Sequence, residues 1–338
     1  MDIVTLGIDL AKNIFQLHGV NSAGKVTLRK RLTRTELPEF IATLPVCLIG
    51  IEACGSSHYW ARKLMSYGHT VKMMSPQFVK PYVKSNKSDR NDAEAICEAV
   101  TRPNMRFVPV KEIKQQDTQS LHRMRSQVIK NRTALCNQIR GLLAEYGIVI
   151  SKQIQNVRSQ LPTILDDKGN ELSEFSRELF LDLYNDFVAL DKRVSEYDKK
   201  LHALFEQSEA CKRIEKIPGI GEVTATAIVS AISDAKLFKN GRELSAWLGL
   251  VPRQNSSGNK QKLLGISKRG DNYLRALLVH GARSVLYRMK DKENPKNRWA
   301  LSLKERRGSN KACVAIANKN ARVIWALLSR NEEYKYAA

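Results

Sequence analysis

None of the six cysteines of this 338-residue chain forms a CxxC pair; Cys47, Cys54, Cys97, Cys136, Cys211 and Cys313 are scattered along it. A zinc site and a disulfide framework are therefore excluded as organising devices, and a reducing compartment fits. His18, His58, His69, His122, His202 and His280 are equally dispersed, so no histidine metal site and no Ser-His-Asp triad can be assembled. No apolar run approaches the ~20 residues of a membrane span, and the opening "MDIVTLGIDLAKN" lacks the basic n-region of a leader. A cytoplasmic protein is expected. Acidic residues are also scarce, 34 Asp+Glu against 56 Lys+Arg, for a net charge of +22. An excess of that size calls for a polyanionic partner, most often nucleic acid. An apolar content of 43% leaves room for buried cores and excludes wholesale disorder.

The charge is unevenly spread, with 26 basic against 11 acidic residues in 209–338 alone. The polyanion is therefore expected on the C-terminal third. Residues 1–112 read as an α/β domain. "IVTLGIDL" and "CLIGIEA" are buried strand candidates, "FQLHGV" and "KVTLRKRL" are flanking strands, and "TVKMMS" is a further one. "SSHYWARKLMSYG" and "RNDAEAICEAV" read as helices, the second with Ala93, Ile96, Cys97 and Val100 on one face. Residues 113–208 read as helical. Met124, Val128, Leu135, Ile139 and Leu142 mark one long helix, and "LPTILDDKGNEL" is a polar interruption. Leu183, Phe187, Leu190, Val194, Tyr197, Leu201 and Leu204 form a heptad seam that could pair within or between chains. Residues 209–338 open on "KIPGIGEV", a helix-hairpin-helix pattern in which Gly219 and Gly221 would expose N–H groups to a phosphate.

Two features carry chemistry. Asp9 interrupts an apolar strand, Glu52 ends another, and Asp89 and Asp92 share one face at the start of a helix. A carboxylate in an apolar strand needs a partner or a metal. Four hard oxygen donors suit Mg²⁺ or Mn²⁺, with two ions able to clamp a phosphodiester; Asp89 and Asp92 could instead cap their helix. The second feature is "RQNSSGNKQKLLGISKRGD", where Arg253, Lys260, Lys268 and Arg269 surround Ser256 and Ser257. By itself this loop predicts phosphate binding, and Asn-Ser-Ser-Gly is ordinary turn chemistry. Asp271 is the nearest acid in sequence.

"GIDLAKNIFQLHGV", "GIEACGSSHYWARKL" and "VKSNKSDRNDAEAI" resemble the N-terminal RuvC-like (RNase H-like) DEDD domain of transposases of the insertion sequence 110 family, which includes the Piv-type DNA invertases. The stretch from "IPGIGEV" to "DNYLRALL" resembles that family's mainly α-helical C-terminal transposase domain, and "AIANKNARVIWALL" its last helix. The resemblance implies that Asp9, Glu52, Asp89 and Asp92 are metal ligands. It also implies that a serine forms a covalent phosphoserine link to DNA. Ser257, directly before a glycine, aligns with that serine, and Ser256 is its neighbouring competitor. Further implications are donor and target DNA as substrates, a structured non-coding bridge RNA as guide, and a homo-oligomer, dimer or tetramer, at the nucleoid. The expected layout is a RuvC-like domain (1–112), a helical coiled-coil segment (113–208) and a basic transposase domain (209–338), with the acids of the first activating the serine of the last. The alternative is a metal-dependent, structure-specific nuclease that uses water as nucleophile. A non-enzymatic nucleic-acid binder is a third reading, which the presence of all four acids disfavours.

Overall fold

The computed structural model describes residues 2–84, 86, 88–258, 260–290 and 294–335. It divides into two compact units, Met1–Glu112 and Ile113–Ala338.

The first unit is built on one mixed sheet. Its strands are β1 (Thr5–Leu10), β2 (Ile14–Val20), β3 (Val26–Thr33), β4 (Leu48–Glu52), β5 (Thr70–Met74) and β6 (Phe107–Val108), in the order β3-β2-β1-β4-β5-β6. The short link between β1 and β2 makes an antiparallel hairpin, whereas β1, β4 and β5 run parallel and need crossovers. Those crossovers contain α1 (Glu36–Ala42) and α2 (Ser57–Met65); α3 (Pro76–Val79) and α4 (Asp89–Ala99) follow β5. Strand alternation then sorts the side chains between two faces. Leu6, Ile8, Phe15, Leu17, Ile49 and Ile51 pack with Leu37, Ile41, Trp60 and Leu64 of α1 and α2. The opposite face meets α4.

That second contact is set by glycine. Gly7 of β1 and Gly50 of β4 are register partners. A Cβ at Gly7 would stand 2.3 Å from the Ala93 carbonyl oxygen and 2.5 Å from the Cys97 nitrogen; one at Gly50 would stand 2.8 Å from Val100 Cβ. The missing side chains let the backbone of α4 rest on β1 and the Val100 side chain at its C-cap rest on β4, with Ile96, Ala99 and Val100 fully buried or nearly so.

The second unit is mainly helical: α5 (Ile113–Ala144), α6 (Ile154–Asp166), α7 (Glu174–Glu206), α8 (Glu209–Glu215), α9 (Glu222–Ala231), α10 (Gly241–Trp247), α11 (Asn272–Arg288), α12 (Pro295–Arg307) and α13 (Ser309–Arg330). A two-stranded hairpin, β7 (Pro252–Gln254) with β8 (Leu263–Ile266), interrupts the helices. α5 and α7 lie antiparallel, as the ion pairs Arg125–Asp198 and Arg132–Asp191 require. The heptad seam is spent inside the chain. Leu190, Val194 and Tyr197 meet Val128, and Leu183 and Phe187 meet Cys136 and Ile139. The face drawn for α5 needs correction, because Met124 and Leu142 are exposed and Cys136 and Leu143 take the buried positions. The polar interruption at 161–172 is likewise corrected: α6 runs through Pro162 and buries Val157 and Leu161. Its apolar stripe is too short to outweigh a proline in a reading by pattern. Among the described residues no helix is long and apolar enough to cross a membrane.

The Gly7 contact leaves no room for a methyl group. Gly7→Ala should therefore lower the stability of the full chain by roughly 2 kcal/mol or more, the scale of overpacking. Urea unfolding of both proteins measures this, and an unchanged midpoint would contradict the close approach.

Candidate functional site

Two residues beyond the paired glycines, each strand carries a carboxylate. Side chains at i and i+2 share a face, so Asp9 and Glu52 lie on the side of the sheet that α4 covers, at the C-terminal ends of adjacent parallel strands. In open sheets with helical crossovers, that end is where sites form. Cross-strand pairing puts Gln16 beside Asp9 and Met74 beside Glu52. α4 runs against β1: Ala93 sits at Gly7, while Cys97 Sγ reaches the Thr5 carbonyl at 3.7 Å. Its first turn, with Asp89 and Asp92, therefore points toward the Asp9 end.

The capping alternative for these two aspartates does not hold. The N-cap is Ser88, whose hydroxyl accepts from the Asn91 N–H at 3.3 Å. Of the other acids on α4, Glu94 pairs with Arg29 and Lys84, and Glu98 with Lys84 and Arg102. Asp89 and Asp92 form no such pair among the described residues. Their negative charge sits on the first turn, where the helix dipole favours it.

The premise that Asp9 is a buried charge is corrected. Asp9, Glu52 and Asp92 are half-buried and Asp89 is exposed, because β1 and β4 leave the core at these positions. Among the described residues no three Asp, Glu, His or Cys side chains are gathered closely enough to hold a metal ion. The four acids are thus brought to one end of one sheet face without being closed into a ligand cluster. Their donor chemistry, carboxylate oxygen throughout, fits a hard divalent cation.

In the second unit the serine segment is a hairpin, where the sequence reading had only a loop. The Asn255 N–H donates to the Lys262 carbonyl at 3.0 Å and the Lys260 N–H to the Ser257 carbonyl at 3.2 Å, which places Ser257 at the tip. Gly258 follows with φ +55; Asn259 lies outside the described residues. The two serines differ. Ser256 Oγ accepts from Gln254 Nε2 at 2.9 Å, whereas the exposed Ser257 hydroxyl has no partner among the described residues. Arg253 and Lys260 are exposed on the same hairpin, with Lys268 and Arg269 at its base. Asp271 is engaged elsewhere, capping α11 by accepting from the Tyr273 and Leu274 N–H groups.

The hairpin base is cinched against the end of α10. A Cβ at Gly249 would meet the Arg269 carbonyl oxygen at 2.1 Å, and one at Gly270 the Trp247 carbonyl oxygen at 2.0 Å. The sequence reading missed Arg275, which is only 7% exposed. Its Nη1 donates to the carbonyls of Leu248 (3.1 Å) and Arg269 (2.9 Å), and its Nη2 donates to Asn272. A guanidinium in the apolar stretch "YLRALL" was the available signal. Gly219 is accounted for by packing: it is half-buried with φ +90, and its Cβ would stand 2.8 Å from the Gly281 carbonyl oxygen of α11. Gly221 is exposed as the N-cap of α9.

His122 was also missed as a structural residue. Its Nε2 lies 3.1 Å from Thr226 Oγ1 and its Nδ1 3.1 Å from the Tyr273 hydroxyl. Thr226 is committed as a donor to the Glu222 carbonyl, so Nε2 carries the hydrogen and Nδ1 accepts from Tyr273. This buried bridge ties α5 and α9 to the start of α11, from which the serine hairpin departs. Burial, with Arg125 nearby, pushes the His122 pKa down to about 4.

Two family models match the chain. One, described as the Transposase IS116/IS110/IS902 family, covers residues 211–299, and a DEDD transposase model of the IS110 type covers residues 6–148. A probable family 20 transposase of Pseudomonas aeruginosa is 46% identical over 336 residues, spanning 99% of each chain. The chain belongs to the IS110 family of transposases. The transposase for insertion sequence element IS1111A of Coxiella burnetii is 46% identical over 337 residues, covering 100% of this chain and 93% of its own. A pilin gene-inverting protein of Moraxella bovis is a distant relative, 25% identical over 353 residues and 97% of both chains. In this transposase, one family match contains all four acids and the other contains the serine hairpin.

The His122 bridge has a pH signature. Its folded pKa lies below the ordinary value of 6.5, so as pH falls the unfolded chain takes up the proton first. The His122 contribution to stability should drop from pH about 6.5 to about 4, by an amount on the order of 3 kcal/mol, and then level off. Urea midpoints across that range should decline less steeply for His122→Gln.

Proposed function

We propose that this IS110-family transposase cleaves and rejoins DNA through Ser257, with Asp9, Glu52, Asp89 and Asp92 of a RuvC-like unit as the divalent-metal set. The observation that carries the reading is Ser257 itself: exposed at a hairpin tip, its hydroxyl without a partner among the described residues, between Arg253 and Lys260, while Ser256 is held by Gln254. In the reaction a Ser257 Oγ–P bond forms as one P–O bond of the DNA backbone breaks. The hydroxyl proton ends on the departing DNA oxygen. The phosphodiester energy stays in the serine ester, so reversal joins strands without ATP.

Arg253, Lys260, Lys268 and Arg269 hold the backbone and offset the charge that grows on the phosphate. Asp271 caps α11 through Oδ1. A divalent cation, Mg²⁺ or Mn²⁺, when bound by the four carboxylates, supplies Lewis-acid neutralisation of phosphate oxygens. The placement of Asp9 and Glu52 on one sheet face, with Asp89 and Asp92 on the first turn of the helix that covers it, and their hard donor type support that assignment. A structured guide RNA and a dimeric or tetrameric assembly belong to the reading on the family resemblance.

Full-length protein incubated with DNA substrate and denatured in detergent should yield a protein–DNA adduct. Ser257→Ala should lose the adduct and slow cleavage at least about a thousandfold, as loss of an activated nucleophile does. Ser256→Ala should stay within about threefold of the parent. Cleavage by Ser257→Ala at the parental rate would replace this reading with water as nucleophile. Asp9→Asn should reduce cleavage by about a hundredfold or more while leaving DNA binding intact; full activity would remove Asp9 from the metal set.

A further inference from the structure

Beside the serine hairpin, the second unit has an open groove of about 1540 Å³ along α13. That exceeds the ~300–1,000 Å³ of pockets for small molecules, so its dimensions suit a polymer. Pro252 and Ile266, one from each strand of the hairpin, line one end. The groove therefore reaches the base of the hairpin whose tip carries Ser257.

Its charge is uncompensated. Arg242, Lys311, Lys319 and Arg322 line it and are exposed, and none of the four forms an ion pair among the described residues. The lining acids are spent: Glu333 pairs with Lys216 and Arg213, and Glu332 with Arg330. From Lys311 to Arg322 the helix advances about 16 Å, room for roughly five phosphates of one stacked strand at ~3.4 Å each.

One wall is aromatic. Trp299 of α12 is 37% exposed and lines the groove, with the Lys319 ammonium 5.0 Å from its ring centroid. A stacking surface beside a cation matches an unpaired strand, whose bases are free to lie on a ring while its phosphates meet the cations. Duplex DNA keeps its base faces stacked inside and offers such a ring nothing. We propose that this groove binds an unpaired strand of the DNA substrate, leading it to or from the Ser257 hairpin. The choice of DNA over RNA rests on the transposition chemistry of the preceding subsection, because the groove reaches the base of that hairpin.

The test is binding alone, so it stands whether or not Ser257 is the nucleophile. Full-length protein is titrated with a fluorescein-labelled oligothymidylate of about 12 nucleotides, within the site sizes of single-strand grooves. Parallel titrations use a duplex of equal length and an oligouridylate. The single-stranded DNA should bind tightest and quench tryptophan fluorescence. Trp299→Phe should keep the affinity and lose most of the quench, which separates stacking from misfolding. Trp299→Ala should weaken single-strand binding at least about fivefold and leave duplex binding unchanged. Lys319→Ala and Arg322→Ala should each flatten the salt dependence by about 0.7 in log–log slope. Tighter binding of the duplex, tighter binding of the oligouridylate, or unaltered affinity in Trp299→Ala would each overturn the assignment.

Discussion

The backbone of α4 rests directly on Gly7, and the side chain of Val100 at its C-cap rests on Gly50, the glycine that faces Gly7 across the adjacent parallel strand. Everything about the acidic site follows from that contact. It sets the height of the helix above the sheet, and the direction in which the helix runs brings its first turn toward the strand ends. Asp9 and Glu52 stand one alternation beyond the glycines and share their face. The second unit uses the same device three times: Gly219 on Gly281, Gly249 on Arg269 and Gly270 on Trp247. The last two fix the root of the serine hairpin, and the buried Arg275 guanidinium adds hydrogen bonds at the same place. The chemistry-bearing residues of the hairpin are exposed, and the backbone beneath them is held by contacts too close for any side chain.

Charge is partitioned with similar economy. On α4, Glu94 and Glu98 are neutralised by Arg29, Lys84 and Arg102, which leaves the two aspartates of the first turn for another role. In the second unit the acids of the groove are paired with neighbouring basic residues, while Lys311, Lys319 and Arg322 of α13 form no ion pair among the described residues. A surface of this kind attracts a polyanion over distances set by the ionic strength. His122, buried and neutral between Thr226 and Tyr273, avoids adding a further positive charge to the core beneath it.

Much of the first unit was legible because its signals are local. Strands β1, β2, β4 and β5 are short runs bounded by turns, and α4 shows its buried face in the spacing of Ala93, Ile96, Cys97 and Val100. Helix α6 was not legible, since Pro162 and the acids after it outweigh two buried apolar residues in any reading of pattern. The β7–β8 hairpin was hidden for a different reason. Its strands are short and exposed, without the alternation that marks a half-buried strand. The heptad seam of α7 was evident, but a periodic apolar stripe states only that something covers it. The partner proved to be α5 of the same chain.

Residue identity alone determined the donor chemistry of the four acids, the concentration of positive charge in the C-terminal third, and the family to which the chain belongs. These are properties of side-chain type and order, and they survive without coordinates. Tertiary structure decided which of them meet. It showed Asp9 half-exposed at a strand end instead of enclosed in the core, because the strand outruns the layer that covers it. It engaged Ser256 and gave the Ser257 hydroxyl no partner among the described residues, because a hairpin turn separates neighbours that sequence makes equivalent. It also lined a basic groove with Trp299, a residue distant in sequence from the cations beside it, since only helix packing brings α12 against α13.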